Sequence, residues 1–212
     1  MEQTHFRTSL PEKISLIPHI FGIRNEEEPR YQVFFSDDDF EIRIYSPYLM
    51  AETYVNAPSY SEAVSTGFVR LANFIFTDNS EGIKMEMTAP VFSQQDDFGW
   101  KISFLIPSKF NLNTVPRPTD SRINFQHVPR RFVAVVKYTG ANSLEKAEQN
   151  IQRLTKWVSK KTAYQIVSNP SIAQYDSPNT LPFLRRNEIH FDLKISPHLP
   201  IDHSYLTFGA LD

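Results

Sequence analysis

The stretch PSYSEAVSTGFVRLANFI, residues 58–75, decides how the chain is read. Ser59 and Glu62 stand at capping-box spacing, in which each side chain bonds the other residue's free backbone N–H. Val64, Phe68, Leu71 and Ile75 then recur at helical spacing, which predicts one apolar stripe on a helix ending near Thr77. The pattern returns further on. Asn142 and Glu145 repeat the cap spacing, and Ala147, Ile151, Leu154 and Val158 each stand 83 residues after the four stripe residues. Ala134 and Glu145 stand 83 residues after Ala51 and Glu62. One offset holding across a strand, a cap and a helix points to an internal repeat, because two unrelated amphipathic helices would share only the period.

Strand signals surround both helices. Phe40, Ile42 and Ile44 alternate with Glu41 and Arg43, and a second run over 49–55 follows Ser46-Pro47. After the first helix, residues 83–92 and 100–107 read as strands. The second half offers 132–138, 164–175 and 188–193. Phe191 stands 87 residues after Phe104, so the second half has gained about four residues, placed in the proline-rich loop 177–182. The expectation is an α+β fold of two ββαββ-like units: strongly bent antiparallel sheet with one helix from each half. The arm 1–28 ends in Glu26-Glu27-Glu28, a single domain spans 29–195 with halves at about 29–108 and 121–195, and 196–212 is a tail. Residues 109–120, punctuated by Pro116 and Pro118, link the halves.

Composition narrows the function. Of 212 residues, 41% are hydrophobic and 22% charged, enough for a packed core. Seventeen Phe and nine Tyr favour sheet. A net charge of −2 argues against binding that rests on phosphate neutralisation, so no nucleic acid is expected. Without cysteine there is no disulfide, thiolate metal site, catalytic thiol or covalent c-type heme attachment. No apolar run is long enough for a membrane span, and a cytoplasmic monomer is the expected setting. Six scattered glycines form no phosphate loop.

In IKMEMTAPVF, residues 83–92, Ile83, Met85, Met87, Ala89 and Val91 share one face, with Lys84, Glu86 and Thr88 on the other. The methionines read as core fillers. Thioether ligation of iron is the alternative; it normally wants a partner His, and none is near in sequence. Pro90 removes a ladder donor and predicts a bend, bulge or edge.

KMEMTAPV, taken with FEIRIYSPYLMAET, GFVRLANFIF and YDSPNTLPFLRRNEI, resembles the SOUL/heme-binding protein family, with four blocks in the family's order between about Pro29 and Leu193. The resemblance implies a distorted antiparallel β-barrel with a pseudo-twofold axis, flanked by two α-helices, and non-enzymatic, non-covalent binding of heme or a related tetrapyrrole. It also implies a cleft between the first helix and the loop before the last strand. Carried over residue by residue, Phe68 is the hydrophobic contact on the helix. The basic positions facing the propionates become Ser65 and Asn73, and Asn179 stands where an apolar residue is frequent. The candidate ligand-binding set is Phe68, Leu71, Tyr175, Phe183, Arg185 and Arg186. The arginines have a second reading as a strand-entry pair bonding Glu188 or backbone.

No axial histidine stands out among His5, His19, His127, His190, His198 and His203; His190 alternates with Glu188 and Asp192 on what reads as a solvent face. Tyr175, Tyr138 and Met85 are the weak alternatives, and the metal ligand stays unassigned. Asp37-Asp38-Asp39 reads as a turn rather than a cation loop. Two other functions stay open: an effector-binding or interaction module for another small hydrophobic ligand, and a small hydrolase using Glu86, for which no spacing supplies a partner.

Overall fold

A computed structural model describes residues 25–196. The strands are β1 (Tyr31–Asp37), β2 (Phe40–Tyr45), β3 (Tyr48–Val55), β4 (Val91–Asp96), β5 (Gly99–Leu105), β6 (Ile123–Val128), β7 (Arg131–Tyr138), β8 (Tyr164–Ile166), β9 (Ser171–Gln174) and β10 (Asn187–Ile195). Helix α1 (Tyr60–Phe76) follows β3 and helix α2 (Leu144–Ser159) follows β7. The α+β class is as expected, and the strands form one antiparallel sheet in the order β1-β2-β7-β10-β9-β4-β5-β3-β6, with β8 paired to β10. The expected barrel is not closed: β1 and β6 are the two ends of this path, and each pairs on one side only.

Pairing registers follow the sequence offset. Tyr45 lies opposite Arg131 in the β2–β7 pair, and Val128 lies opposite Tyr48 in the β3–β6 pair. Ala51 faces Phe104 on β5, and Ala134, 83 residues on, faces Phe191 on β10.

Ser59 caps α1 as expected, its hydroxyl accepting from the Glu62 N–H at 3.2 Å. In α2 the cap is Ser143, accepting from Lys146, and not Asn142. Hydroxyl and amide oxygens cap equally well, so spacing alone leaves a one-residue slip. Leu71, Ile75, Ala147, Leu154 and Val158 are buried as the stripes require, while Val64 and Ile151 are half-buried and Phe68 remains 38% exposed, its ring 5.3 Å from that of Phe104. Gly67 lets α1 lie close on β5, since a Cβ there would fall 2.4 Å from Ile102.

Residues 83–90 are not a strand. The segment crosses as irregular chain, tied by Met85 N–H to Ile75 O and Ala89 N–H to Glu27 O, passes a cis Ala89–Pro90 bond, and enters β4 only at Val91. Its inside-outside order survives in part. Met85 is buried, Met87 is half-buried and Glu86 is exposed, but Ile83 is exposed as well. The hairpin between β1 and β2 turns at Asp38, whose φ of 52° an aspartate tolerates.

Both faces of the sheet are covered. On one face Ile42, Ala134, Val136, Ile189 and Phe191 join the helices in the main core. On the other, Tyr45, Val133 and Val135 form one cluster, and Met50, Ala89, Phe92, Val128, Ala173 and Tyr175 another.

Candidate functional site

Strict alternation places Glu41, Arg43 and Tyr45 of β2 on the face away from the helices, with Glu188 and His190 of β10 beside them across β7. The β7 residues between them are Val133 and Val135, short enough for the Arg43 side chain to reach over. Arg43 Nη1 donates to Glu188 Oε2 at 2.8 Å and Nη2 to Oε1 at 3.0 Å. Its Nε donates to Glu41 at 2.6 Å and Nη1 also to the Tyr45 hydroxyl at 2.9 Å, while the guanidinium lies 4.1 Å from the Tyr31 ring centroid. Tyr175 O–H donates to Glu188 Oε2 at 3.0 Å, His190 Nε2 lies 2.8 Å from the same oxygen, and Arg186 Nε donates to Oε1 at 3.0 Å. Glu188 thus accepts five hydrogen bonds, which uses its oxygens fully. Burial works to raise the Glu188 pKa, but His190 and Arg43 outweigh it and hold the group well below the carboxylate range. Burial lowers the His190 pKa more than Glu188 raises it, so the imidazole is neutral, with Nε2–H donating. Burial raises Tyr175 well above the usual phenol. A carboxylate this saturated holds structure and has no free lone pair for a ligand or a proton in transit.

The sequence reading placed His190 on solvent. It is 3% exposed, because this second sheet face is itself enclosed. The cluster was readable only as two charge-alternating strands, Glu-Ile-Arg-Ile-Tyr and Glu-Ile-His-Phe-Asp, whose opposite charges occupy equivalent faces.

The six proposed ligand-binding residues do not form one surface. Leu71 is fully buried beneath α1. Tyr175 is enclosed on the far face, supporting Arg186, whose guanidinium carbon lies 3.6 Å from the ring centroid. Arg186 is committed internally: besides Glu188 it binds both oxygens of Glu28 at 3.1 and 3.0 Å, fastening the segment before β1 to β10. Arg185 donates to the carbonyls of Thr180 and Pro178 at 2.8 and 2.6 Å. The strand-entry reading therefore describes both arginines. Phe183, on a 3-10 turn at Pro182–Leu184, is 68% exposed. Phe68 and Phe183 are the members with substantial open apolar surface.

Other candidates are placed too. Glu86 is exposed and pairs with Lys109 at 3.2 Å, an ordinary surface ion pair. Asp37 accepts from Trp157 Nε1 at 2.7 Å and Asp39 from Arg153 at 3.1 Å, so the aspartate run is a turn that ties the hairpin to α2. His127 is exposed on the edge strand β6. Ser65 and Asn73 are exposed on α1. Met85 and Tyr175 are buried away from any open surface, and Tyr138 is half-buried. His5, His19, His198 and His203 lie outside the described residues, as does most of the arm and the tail. Among the described residues no three His, Asp or Glu side chains gather as a metal site, and no helix is long and apolar enough to cross a membrane.

The fold and the enclosed polar cluster define an α+β protein with one antiparallel sheet, two helices and a buried ion-pair network on the sheet face opposite them. The sequence profile described as SOUL heme-binding protein matches residues 26–192, and the chain belongs to that family. It is 26% identical over 163 residues to Heme-binding protein 2 of Homo sapiens, covering 70% of this chain and 79% of the human protein. The Mus musculus protein of the same name matches at the same identity and coverage. Among solved structures, the EcmrR C-terminal domain aligns with a TM-score of 0.50 at 16% identity, covering 77% of this chain and 98% of that one. A structure described as a hydrolase from Listeria innocua aligns with a TM-score of 0.52 at 8% identity, covering 76% and 94%. At these identities the likeness is one of fold alone.

Proposed function

We propose that the chain binds heme or a related tetrapyrrole, non-covalently and without catalysis, on the apolar surface offered by Phe68 of α1 and Phe183 before β10. Membership of the SOUL heme-binding family over residues 26–192 carries this reading. The residues fit the group in part. Phe68 and Phe183 offer ring faces to a flat apolar ligand, and Arg185, half-buried with only carbonyl partners, can meet a carboxylate. Leu71 and Tyr175 act behind the surface, one packing α1 and the other supporting Arg186. Heme iron would supply an open coordination position; of the two described histidines, His190 is buried and committed to Glu188, and His127 is exposed on the edge strand β6.

Affinity is weak in this reading, about micromolar or poorer. Ser65 and Asn73 lack the cations expected of α1, and an exposed apolar contact tolerates other flat hydrophobic ligands. That same substitution favours a second reading, an effector-binding module for another small hydrophobic molecule. The test is a hemin titration followed at the Soret band in wild type, Phe68→Asp and Phe183→Asp. Weak saturable binding lost in both variants supports the site. Equal binding in all three proteins places the hemin elsewhere.

The shared offset of the β2–β7 and β3–β6 registers supports reading the two halves as a duplicated unit about a pseudo-twofold axis. Superposing the halves of an experimental structure tests it; helices packed differently on their sheets would contradict it.

A further inference from the structure

A cavity of about 630 Å³ opens between the end of β7, the first half of α2 and the chain entering β10. Lys137, Lys146, Arg153, Arg185 and Arg186 line it, against one lining carboxylate, Asp39. Three of the cations are neutralised within the protein: Lys137 by Glu41, Arg153 by Asp39, and Arg186 by Glu28 and Glu188. Two are not. Arg185 donates only to the Thr180 and Pro178 carbonyls, and Lys146 Nζ has no hydrogen-bond or ion-pair partner among the described residues. The Lys146 ammonium sits against the backbone at Gly140, where a Cβ would lie 2.1 Å from it, so the glycine makes its position possible. The second cavity, about 280 Å³ beside α1, is balanced: Arg70 and Arg122 face Asp78 and Asp120.

We propose that the cavity beside α2 binds a small polyanion, a metabolite carrying at least two negative charges on phosphate or carboxylate groups, with Lys146 and Arg185 as its cationic contacts. Two uncompensated cations in one concave site supply attraction that the surrounding ion pairs do not cancel, and a doubly charged ligand is what restores balance. The neutral donors Gln149 and Thr139 line the same space and suit further anion oxygens. The volume exceeds that of a simple inorganic anion and admits an organic scaffold. The inference does not rest on the tetrapyrrole reading. Arg185 is common to both readings, but Lys146 takes no part in the tetrapyrrole site, so loss of anion binding in Lys146→Gln with hemin binding unchanged separates the two, and failure of hemin to bind leaves this proposal standing.

The experiment is isothermal titration of pyrophosphate and, separately, citrate into the full chain at low ionic strength, in wild type, Lys146→Gln, Arg185→Gln and the control Arg70→Gln. Saturable binding of one or both is expected, weakened roughly ten-fold or more by either of the first two substitutions, since each removes a charge-assisted contact. Arg70→Gln should bind as wild type does. Binding of pyrophosphate alone assigns a phosphate ligand, and of citrate alone a polycarboxylate. No binding of either below millimolar concentration would overturn the proposal, as would unchanged affinity in Lys146→Gln or equal weakening by Arg70→Gln. Arg185 also holds its loop, so thermal midpoints accompany each titration. Lys146→Gln, at a half-exposed helical position, stays decisive if Arg185→Gln disturbs the fold.

Discussion

Arg43 and Glu188, 145 residues apart in sequence, form a two-pronged ion pair across β7 in which neither side chain has any surface open to solvent. The pair joins the two halves of the chain on the sheet face opposite the helices. Glu41, Tyr45, Tyr175, Arg186 and His190 complete it, so every charge in the group has a partner.

Removing one member strips the other of its two-pronged partner in a site closed to water, leaving Glu41 alone to balance Arg43, or Arg186 alone to balance Glu188. Arg43→Met or Glu188→Gln should each cost about 3–5 kcal/mol in urea unfolding. The double substitution Arg43→Met with Glu188→Leu should cost clearly less than the sum of the singles, since the under-paired buried charge disappears with its partner. Additive losses would show that the two residues act independently.

Acid should weaken the fold in two stages. The pKa of His190 is pushed down by burial, so below about 6.5 the unfolded chain takes up a proton that the folded chain refuses. Stability is full above that pH and declines as pH falls toward the folded value. Glu188 is held well below its ordinary 4.5, so its contribution is present above that pH and is lost as pH falls through the folded value. Thermal midpoints between pH 7 and 5 should fall for wild type. In His190→Phe, which keeps a ring between Tyr45 and Phe92, the slope over that range should flatten. An unchanged slope would mean that another group titrates.

Gly67→Ala should destabilise by about 1–3 kcal/mol although alanine is the better helix former, because its methyl would overlap Ile102 on β5. Ser65→Ala, exposed on the same helix, is the control and should be neutral or mildly stabilising. A midpoint raised by Gly67→Ala would show that α1 stands further from the sheet.

Met85 packs in the core with 1% of its surface exposed. Met85→Leu should cost under about 1.5 kcal/mol and Met85→Ala about 2–5 kcal/mol. Loss of hemin binding in Met85→Leu with stability intact would revive thioether ligation.

Elements with strong period were legible. Ser59, the two helical stripes and the runs that became β2, β3, β5, β7 and β10 announce themselves by period and cap chemistry. What escaped has physical causes. Glu41, Arg43, Glu188 and His190 alternate with apolar residues as solvent-facing residues do, and only pairing across β7 shows that they neutralise one another in an enclosed layer. Residues 83–90 alternate like a strand, but Pro90 and pairing limited to a single bridge, Thr88 with Glu27, leave them an irregular crossing. Closure into a barrel depends on contact between β1 and β6, which no local pattern encodes. The candidate site was legible as residue types and not as a surface: Leu71 and Tyr175 carry suitable chemistry, and packing encloses them.

The proposed tetrapyrrole site works through apolar contact, with no strong protein ligand to iron. The most direct measurement compares hemin with metal-free protoporphyrin by titration under the same conditions. Similar affinities are expected, about micromolar or weaker, with no six-coordinate low-spin spectrum for hemin. Nanomolar hemin binding with such a spectrum, and protoporphyrin bound far more weakly, would contradict this reading.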